Sequence, residues 1–245
     1  MATTKNILIT GAAGGLGSEL ALQLGRMSKS DELELILLDN NESGLDQLAD
    51  RIQAECNYEP LIYPLDLETS SIDEYTQMAD ALATQLGKLD ILMHTAARFT
   101  ALAPMAHTDP LEWLRSIQTN LNGPWLLSKT CLPLLKQAGN ARLVFLLEDM
   151  QTMQEANWGS YGVSKSALLA LIEQLKAELD HDGIRVNGIN PGPMRTSLRA
   201  KAWMPSASDP AREVDKVAKG IIEWMFSKNN QHCLDSGSNL LNDIF

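Results

Sequence analysis

A tyrosine and a lysine four residues apart, Tyr161 and Lys165, are the pair of side chains in this sequence best suited to proton transfer. On a helix this spacing puts them on one face, one turn apart. A lysine ammonium there lowers the effective pKa of the phenol, which can then donate and accept a proton near neutral pH. The same spacing is also typical of an exposed helix face, so a second feature must decide between the two interpretations.

A glycine-rich segment about 150 residues upstream is that second feature. Thr10 to Gly17 reads T-G-A-A-G-G-L-G and lies between a short apolar run and a helical pattern. Glycines allow a sharp turn and a close approach of the backbone to a pyrophosphate, whose charge the N–H groups of a helix N-terminus attract. The segment predicts a dinucleotide site, with a glycine turn that binds no ligand as the alternative.

Together the two motifs resemble the short-chain dehydrogenase/reductase family, and the resemblance covers nearly the whole chain. It implies a nicotinamide cofactor and hydride transfer between nicotinamide and a small alcohol or carbonyl compound. Tyr161 would exchange the proton, while Lys165 would lower its pKa and bind the nicotinamide ribose. Asn120 matches the family asparagine that bends a helix and anchors a water in the proton relay.

The resemblance also implies which residues contact the cofactor. Asp66 would hold the adenine through its side chain, although it could equally cap a helix, and Leu67 would do so through its backbone. The motif before Arg98 is altered, because His94-Thr95-Ala96-Ala97 stands where the family usually has N-N-A-G. The full set of implied contacts comprises Thr10, Gly11, Gly15, Leu16, Gly17, Asp39, Asp66, Leu67, Thr95, Ala96, Ala97, Tyr161, Lys165, and Pro191, Gly192 and Thr196 of a P-G-x-x-x-T motif.

Asp39 favours NAD over NADP as the cofactor. It ends the second predicted strand, 22 residues after Gly17. A carboxylate at that point accepts hydrogen bonds from the ribose hydroxyls of NAD and repels the 2′-phosphate of NADP. No arginine or lysine follows within residues 40–43. A helix-capping aspartate is compatible with the same position.

Glu148 occupies the position of the family's catalytic serine, 13 residues before Tyr161. An ionised carboxylate only accepts hydrogen bonds, and it opposes formation of a tyrosinate. Three compensations are open: a protonated Glu148 beside Asp149, a contribution from Thr152, or a Glu148 that binds a cationic or hydroxyl-rich substrate. The alternative is a NAD-binding scaffold or regulator with weak or no turnover.

Alternating apolar and helical segments predict the elements that must position these residues. The strands are expected at 5–10, 33–39, 60–66, 90–94, 142–147 and 185–190, and the helices at 16–27, 42–56, 71–87, 110–136, 160–181 and 212–227. Such alternation predicts an α/β fold, a single domain with a doubly wound parallel sheet. The resemblance implies the Rossmann-type order 3-2-1-4-5-6-7, with the last strand within the final 20 residues.

Two further segments bear on the substrate. The irregular stretch 191–210 contains four prolines and follows the end of a strand, which is typical of a mobile loop that covers the substrate. Arg98 could offset the charge of Glu148 or bind an acidic substrate, or it could be a surface arginine.

Composition limits the partners and the compartment. A net charge of −11 disfavours binding to nucleic acid or anionic membranes. Three cysteines without metal-ligand spacing, together with an N-terminus unlike a signal peptide, indicate a cytoplasmic protein without a metal site. By resemblance, we expect a homodimer or homotetramer that associates through the apolar faces of 113–135 and 168–175.

Overall fold

A computed structural model describes residues 4–28, 33–204 and 210–227. Six parallel strands form one sheet in the order β3-β2-β1-β4-β5-β6, which confirms the expected Rossmann-type arrangement for these strands. The expected seventh strand lies outside the described residues. The strands are β1 (Lys5–Thr10), β2 (Leu33–Asp39), β3 (Leu61–Pro64), β4 (Ile91–His94), β5 (Ala141–Leu146) and β6 (Ile184–Ile189).

The sheet is buried on both faces, as the continuous apolar character of its strands predicts. Successive residues of β1 point to opposite faces, and Ile7, Leu8 and Ile9 are all fully buried. Ile7 and Ile9 belong to the core cluster on one face, and Leu8 belongs to the cluster on the other. The carboxyl ends of the strands are thereby held in fixed register, and the loops that follow them meet at one edge of the sheet.

Helices cover both faces of the sheet, and their bounds agree with the predicted ones within a few residues, with two exceptions. The described helices are α1 (Gly15–Met27), α2 (Glu42–Cys56), α3 (Ile72–Leu86), α4 (Pro110–Ile117), α5 (Gly123–Gln137), α6 (Met150–Met153), α7 (Gly159–Leu179) and α8 (Val214–Phe226). None of these combines the length and the apolar character that crossing a bilayer requires.

The first exception is the predicted helix 110–136, which is interrupted. Its two parts, α4 and α5, are joined by one turn of π-helix, Gln118–Asn122. Pro124 lies two residues beyond this turn and has no N–H for the regular ladder of hydrogen bonds, so the backbone changes its pairing here. The second exception is α6, a single turn between β5 and α7 that helical periodicity could not reveal because it is only four residues long.

Candidate active site

A cleft of about 880 Å³ lies at the carboxyl edge of the sheet, where the loops after all six strands meet. Its walls include nearly all of the predicted site residues. These are Gly11, Gly15, Leu16, Gly17, Asp39, Asp66, Leu67, Thr95, Ala96, Ala97, Glu148, Tyr161, Lys165, Pro191, Gly192 and Thr196. Thr10 and Asn120 are the two predicted residues that do not line it.

The glycine loop is packed too tightly for side chains. A Cβ on Gly17 would lie 2.1 Å from the carbonyl oxygen of Gly11, and one on Gly11 would lie 2.6 Å from the backbone of Ala96. Gly11 also has a φ of +65°, which disfavours other residues. No side chain of the described residues caps α1 at Gly14, so the N–H groups of its first turn are left for a ligand. This loop fits a pyrophosphate.

Thr10 stabilises the loop from the interior of the protein and does not line the cleft. Its side chain is fully buried, and its hydroxyl accepts a hydrogen bond from the N–H of Ala96 at 3.3 Å. The Thr95 hydroxyl in turn donates to the carbonyl oxygen of Thr10 at 2.6 Å. Thr10 and Thr95 thus join the ends of β1 and β4. The Thr10 side chain is buried and does not line the cleft, and the cofactor contact expected of Thr10 stays a prediction.

Asp39 stands beside the glycine loop with both carboxylate oxygens engaged. Oδ2 accepts from the N–H of Ala13 at 3.0 Å, and Oδ1 accepts from the N–H of Asn41 at 2.9 Å. These bonds fix the carboxylate at the end of β2, where it lines the cleft. The cap of α2 is the side chain of Asn41, so the capping interpretation of Asp39 is wrong.

Asp66 and Leu67 form the next part of the wall. The Asp66 carboxylate accepts from the N–H of Glu68 at 2.9 Å and from the Thr69 hydroxyl at 3.1 Å, so it stabilises a turn while lining the cleft. The carbonyl oxygen of Leu67 accepts from the buried Tyr75 hydroxyl at 3.1 Å. The cap of α3 is Ser71, which forms a capping box.

The loop after β6 meets the glycine loop across the cleft. Gly192 has a φ of +72°, and its N–H donates to the side chain of Asn190 at 2.9 Å. The Thr196 hydroxyl accepts from the N–H of Arg199 at 3.1 Å. A Cβ on Gly15 would lie 3.3 Å from the methyl carbon of Thr196. The predicted P-G-x-x-x-T motif therefore faces the predicted dinucleotide loop.

Glu148 is the direct partner of Tyr161. The Tyr161 hydroxyl donates to Oε1 of Glu148 at 2.7 Å, and the tyrosine side chain is buried. Burial, followed by the negative charge of Glu148 and this hydrogen bond, raises the pKa of Tyr161 well above its ordinary value. The pKa of Tyr161 is therefore shifted upward, opposite to the lowering predicted from Lys165.

Lys165 lies one turn along α7 from Tyr161, as the spacing predicts. Its Nζ is 5.6 Å from the centre of the Tyr161 ring and donates to the carbonyl oxygen of Leu146 at 2.9 Å. Burial lowers the pKa of Lys165, and the charge of Glu148 opposes that shift. A tyrosine, a lysine and a glutamate thus share one buried corner of the cleft.

The other expected partners of Glu148 are engaged elsewhere. Asp149 accepts from the N–H and the hydroxyl of Thr152, at 2.8 and 2.6 Å, and so begins α6. Arg98 pairs with Glu68 and Glu112 at 3.0 and 2.7 Å. Thr152 and Arg98 are thus engaged with carboxylates other than Glu148, so within the described residues Arg98 does not offset the charge of Glu148 through an ion pair. The other two expectations for Arg98, that it binds an acidic substrate or is a surface arginine, stay predictions.

Asn120 is buried behind the cleft, within the π-helical turn. Its side-chain oxygen accepts from the N–H of Arg98 at 2.7 Å, and its amide donates to the carbonyl oxygen of Arg98 and to the hydroxyls of Ser116 and Ser164. The family asparagine is expected to bend a helix, and here it lies in the turn of π-helix that separates α4 from α5. The side chain fastens the segment after β4 to α7, so it positions Tyr161 and does not line the cleft.

Aromatic side chains from three separate segments line the cleft beside Tyr161. Phe99 lies 5.0 Å from Tyr161 and 5.4 Å from Trp158 between ring centres, and Trp203 lies 5.1 Å from Trp158. We call Phe99, Trp158 and Trp203 the aromatic wall. Its contacts could not be predicted from the sequence, because its members are far apart in the chain and no spacing relates them.

His94 replaces the first asparagine of the family motif and is fully neutral in the core. Its Nε2 lies 2.9 Å from the Ser128 hydroxyl, which itself donates to the carbonyl oxygen of Pro124. Nε2 must therefore carry the proton, which leaves Nδ1 as a buried acceptor that has no partner in the part of the chain that the structure describes. Burial lowers the pKa of His94 to about 3. The ring is stacked on Phe145, with centres 4.6 Å apart, and serves packing.

Comparison with known proteins agrees with this geometry. Residues 5–206 match the family model described as short chain dehydrogenase, and the chain belongs to this family of nicotinamide-dependent oxidoreductases. It is similar to the uncharacterized oxidoreductase YciK of Escherichia coli K12, at 35% identity over 197 residues that cover 80% of this chain and 76% of YciK.

Two solved structures show the same fold with a cofactor. A protein from Escherichia coli CFT073, solved with NADPH, has a TM-score of 0.86 and 31% identity over 94% of both chains. A protein from Shigella flexneri 2a, solved with NADP, has a TM-score of 0.80 and 32% identity, covering 87% of this chain and 88% of the other. In both cases the cofactor carries the 2′-phosphate that distinguishes NADP from NAD.

Proposed function

We propose that this protein is a NAD-dependent oxidoreductase that transfers hydride between nicotinamide and a small alcohol or carbonyl compound. One observation carries the proposal: the Tyr161–Lys165 pair and the glycine loop of Gly11, Gly15 and Gly17 line the same cleft. When bound, the cofactor supplies the hydride, and the protein must then hold the substrate oxygen and move one proton.

Tyr161 would deliver that proton to the substrate oxygen, and Lys165 would bind the nicotinamide ribose. A phenol whose pKa is raised keeps its proton, and the protonated form is the one that donates to the substrate oxygen when a carbonyl compound is reduced. Asn120 would act at a distance through its hydrogen bonds to Arg98 and Ser164, which fix the position of α7. We retain it as a positioning residue of the proposed relay.

The preference for NAD rests on Asp39. Its carboxylate is held at the cleft by two backbone N–H groups, and the segment 40–43 contains no cation. A 2′-phosphate placed beside it would be repelled. The NADP and NADPH found with two similar proteins weigh against this preference. Calorimetric titration with NADH and NADPH tests the preference for NAD. Tighter binding of NADPH would show that NADP is the cofactor.

The segment 191–210 is proposed as the cover of the substrate. Lys201 donates from Nζ to the carbonyl oxygen of Phe99 at 2.8 Å, and Leu198 and Ala202 pack on the cluster of Phe99, Trp158 and Tyr161. Substrate enclosed there would lie between the aromatic wall and the nicotinamide end of the cleft. We also propose a homodimer or homotetramer; of the predicted faces, Trp125 is 42% exposed.

A second candidate is a NAD-binding scaffold or regulator with little turnover. The hydrogen bond from Tyr161 to Glu148 favours it, because the catalytic proton is held by a carboxylate and no serine donates to the substrate. Loss of one such donor costs about 2.7–4 kcal/mol, or roughly 10²–10³ in rate. Both candidates share the cofactor site and differ only in chemistry.

One experiment separates the two candidates. NADH binding is measured by calorimetry, and NADH oxidation with a panel of aldehydes and ketones is then followed on the same sample, for wild type and Tyr161→Phe. Turnover that Tyr161→Phe abolishes, with binding retained in both, supports the oxidoreductase. Binding without turnover supports the scaffold. Failure to bind either NADH or NADPH contradicts both.

A further inference from the structure

The carboxylate of Glu148 is the feature of the cleft that carbonyl chemistry leaves unexplained. Its Oε1 accepts from Tyr161, while Oε2 has no hydrogen-bond partner within the ranges that the structure describes. Glu148 lines the cleft and is only partly buried, so a ligand can reach it. A carboxylate cannot donate to a carbonyl oxygen, and it repels the negative charge that this oxygen gains on reduction.

The charge of Glu148 is not used by an ion pair. In the described part of the chain, no lysine or arginine forms a salt bridge with it, and the cations near the cleft have other partners. These cations are Lys165 on the carbonyl oxygen of Leu146, Lys201 on that of Phe99, Arg98 between Glu68 and Glu112, and Arg199 over the ring of Trp203. Asp149 points its carboxylate at α6. A positively charged ligand would therefore find Glu148 available.

We infer that this site prefers a protonated carbon–nitrogen double bond, an iminium ion, to a carbonyl group, and reduces it to an amine. The inference rests on the proposed hydride transfer and names the substrate class of the same site. Oε2 of Glu148 would accept the N–H of the iminium group. The aromatic wall of Phe99, Trp158 and Trp203 suits a cationic substrate, since aromatic faces attract cations.

Reduction of an iminium ion needs no donor of the kind that the family serine supplies to a substrate oxygen. Hydride from the reduced nicotinamide forms a C–H bond at the iminium carbon, and the π electrons of the C=N bond become the lone pair of the amine nitrogen. The cofactor is oxidised, and no proton has to leave Tyr161, so its hydrogen bond to Glu148 can persist. Glu148 acts by increasing the protonated fraction of the bound imine, which is the form that accepts hydride most readily.

The test compares imines with ketones of matching ring size. NADH oxidation by the full-length protein is measured with 1-pyrroline and cyclopentanone, and with 3,4-dihydroisoquinoline and 1-tetralone. The variants are Glu148→Gln, which keeps the size and removes the charge, and Glu148→Ser, which restores the family residue. Circular dichroism and NADH titration establish that each variant is folded and binds cofactor.

We expect wild type to have a higher kcat/KM for the imines than for the ketones. In Glu148→Gln the imine-to-ketone ratio should fall about 10- to 100-fold, the effect of losing a hydrogen bond to a charged group. In Glu148→Ser it should fall further, because the new hydroxyl speeds ketone reduction. This pattern would support both the hydride transfer and the substrate class.

Other patterns overturn the inference in distinguishable ways. Ketone reduction that requires Tyr161, with slower imine reduction or a ratio unchanged in Glu148→Gln, leaves the proposed oxidoreductase standing and contradicts the iminium preference. NADH binding without turnover of any of the four compounds by wild type contradicts the preference as well, and it favours the scaffold.

Discussion

The two ends of the cleft differ in how far they keep the pattern of the family. The cofactor end, which comprises the glycine loop, Asp39 and residues 191–196, brings together backbone groups and small residues whose positions follow from the ends of parallel strands. The catalytic end, which comprises Glu148, Tyr161 and Lys165, has the expected helix but a changed hydrogen-bond partner. At the catalytic end Glu148 stands where the family has a serine, while the residues of the cofactor end line the cleft as the sequence predicts.

The two ends therefore depend on different kinds of structural feature: backbone turns for cofactor binding, and side-chain groups for proton transfer. Cofactor binding here depends on backbone turns, which a single side chain away from the loop does not disturb. Proton transfer depends on the group that accepts the hydrogen bond of the Tyr161 hydroxyl. Glu148 accepts the hydrogen bond of Tyr161 at 2.7 Å, and β5 and α7 on either side of it have the bounds that the sequence predicts within a few residues.

Tyr161→Phe gives the largest expected effect and is confined to the catalytic end. Removing the phenol should lower kcat for carbonyl reduction about 10²- to 10⁴-fold, the usual contribution of a positioned acid. NADH affinity should change little. Rates are measured by NADH oxidation, and the dissociation constant is measured by calorimetry. A variant that keeps wild-type kcat would show that Tyr161 is not the proton donor.

His94→Asn tests the boundary between the two ends, where an uncharged histidine replaces the family asparagine. The pKa of His94 is about 3 in the folded protein and 6.5 ordinarily, so between these values the unfolded state binds a proton that the folded state does not. Folded-state stability should therefore fall as the pH drops below 6.5, by about 2–3 kcal/mol at pH 4.5.

The variant should remove this part of the pH dependence. Urea denaturation at several pH values measures the slope of the unfolding free energy against pH. His107→Asn, at an exposed site, is the control. An unchanged slope in His94→Asn would show that His94 does not titrate as its burial requires.

Gly17→Ala tests the packing of the cofactor end. A Cβ at Gly17 would lie 2.1 Å from the carbonyl oxygen of Gly11, so the backbone must move, at a cost of roughly 1–3 kcal/mol. Thermal unfolding without cofactor should shift down by roughly 2–12 °C. Gly15→Ala is the matched control, because its nearest neighbour is the Thr196 methyl carbon at 3.3 Å. Equal effects of the two substitutions would contradict the described packing.

Asp39→Asn gives the smallest expected effect and sharpens the cofactor preference. Loss of the charge should reduce the ratio of NAD to NADP affinity about 10-fold, or about 1.4 kcal/mol, the low end of what a hydrogen bond to a charged group contributes. Calorimetry with both cofactors measures it. The same ratio in wild type and variant would mean that Asp39 does not select the cofactor.

Much of the fold and of the cofactor end could be predicted from the sequence. Buried parallel strands must be apolar throughout, so their positions were readable, and loops after such strands must meet at one edge. The interruption of the helix at 118–122 was not readable from periodicity, although Pro124 is a local signal for it.

The catalytic end was less predictable. The absence of a serine could be read directly, but the 2.7 Å bond between Glu148 and Tyr161 depends on how β5 and α7 pack. The ion pairs of Arg98 with Glu68 and Glu112 join loops that are distant in sequence. The aromatic wall likewise combines segments around residues 99, 158 and 203. No local pattern encodes such contacts.

The most direct test of the account is the rate of carbonyl reduction by wild type and Glu148→Ser, measured side by side on samples saturated with NADH. If Glu148 holds the Tyr161 proton and withholds the second donor, the serine variant should reduce carbonyl compounds roughly 10²- to 10³-fold faster. A serine variant that is no faster than wild type, while still folded and saturated with NADH, would contradict the claim that Glu148 governs the chemistry of this site.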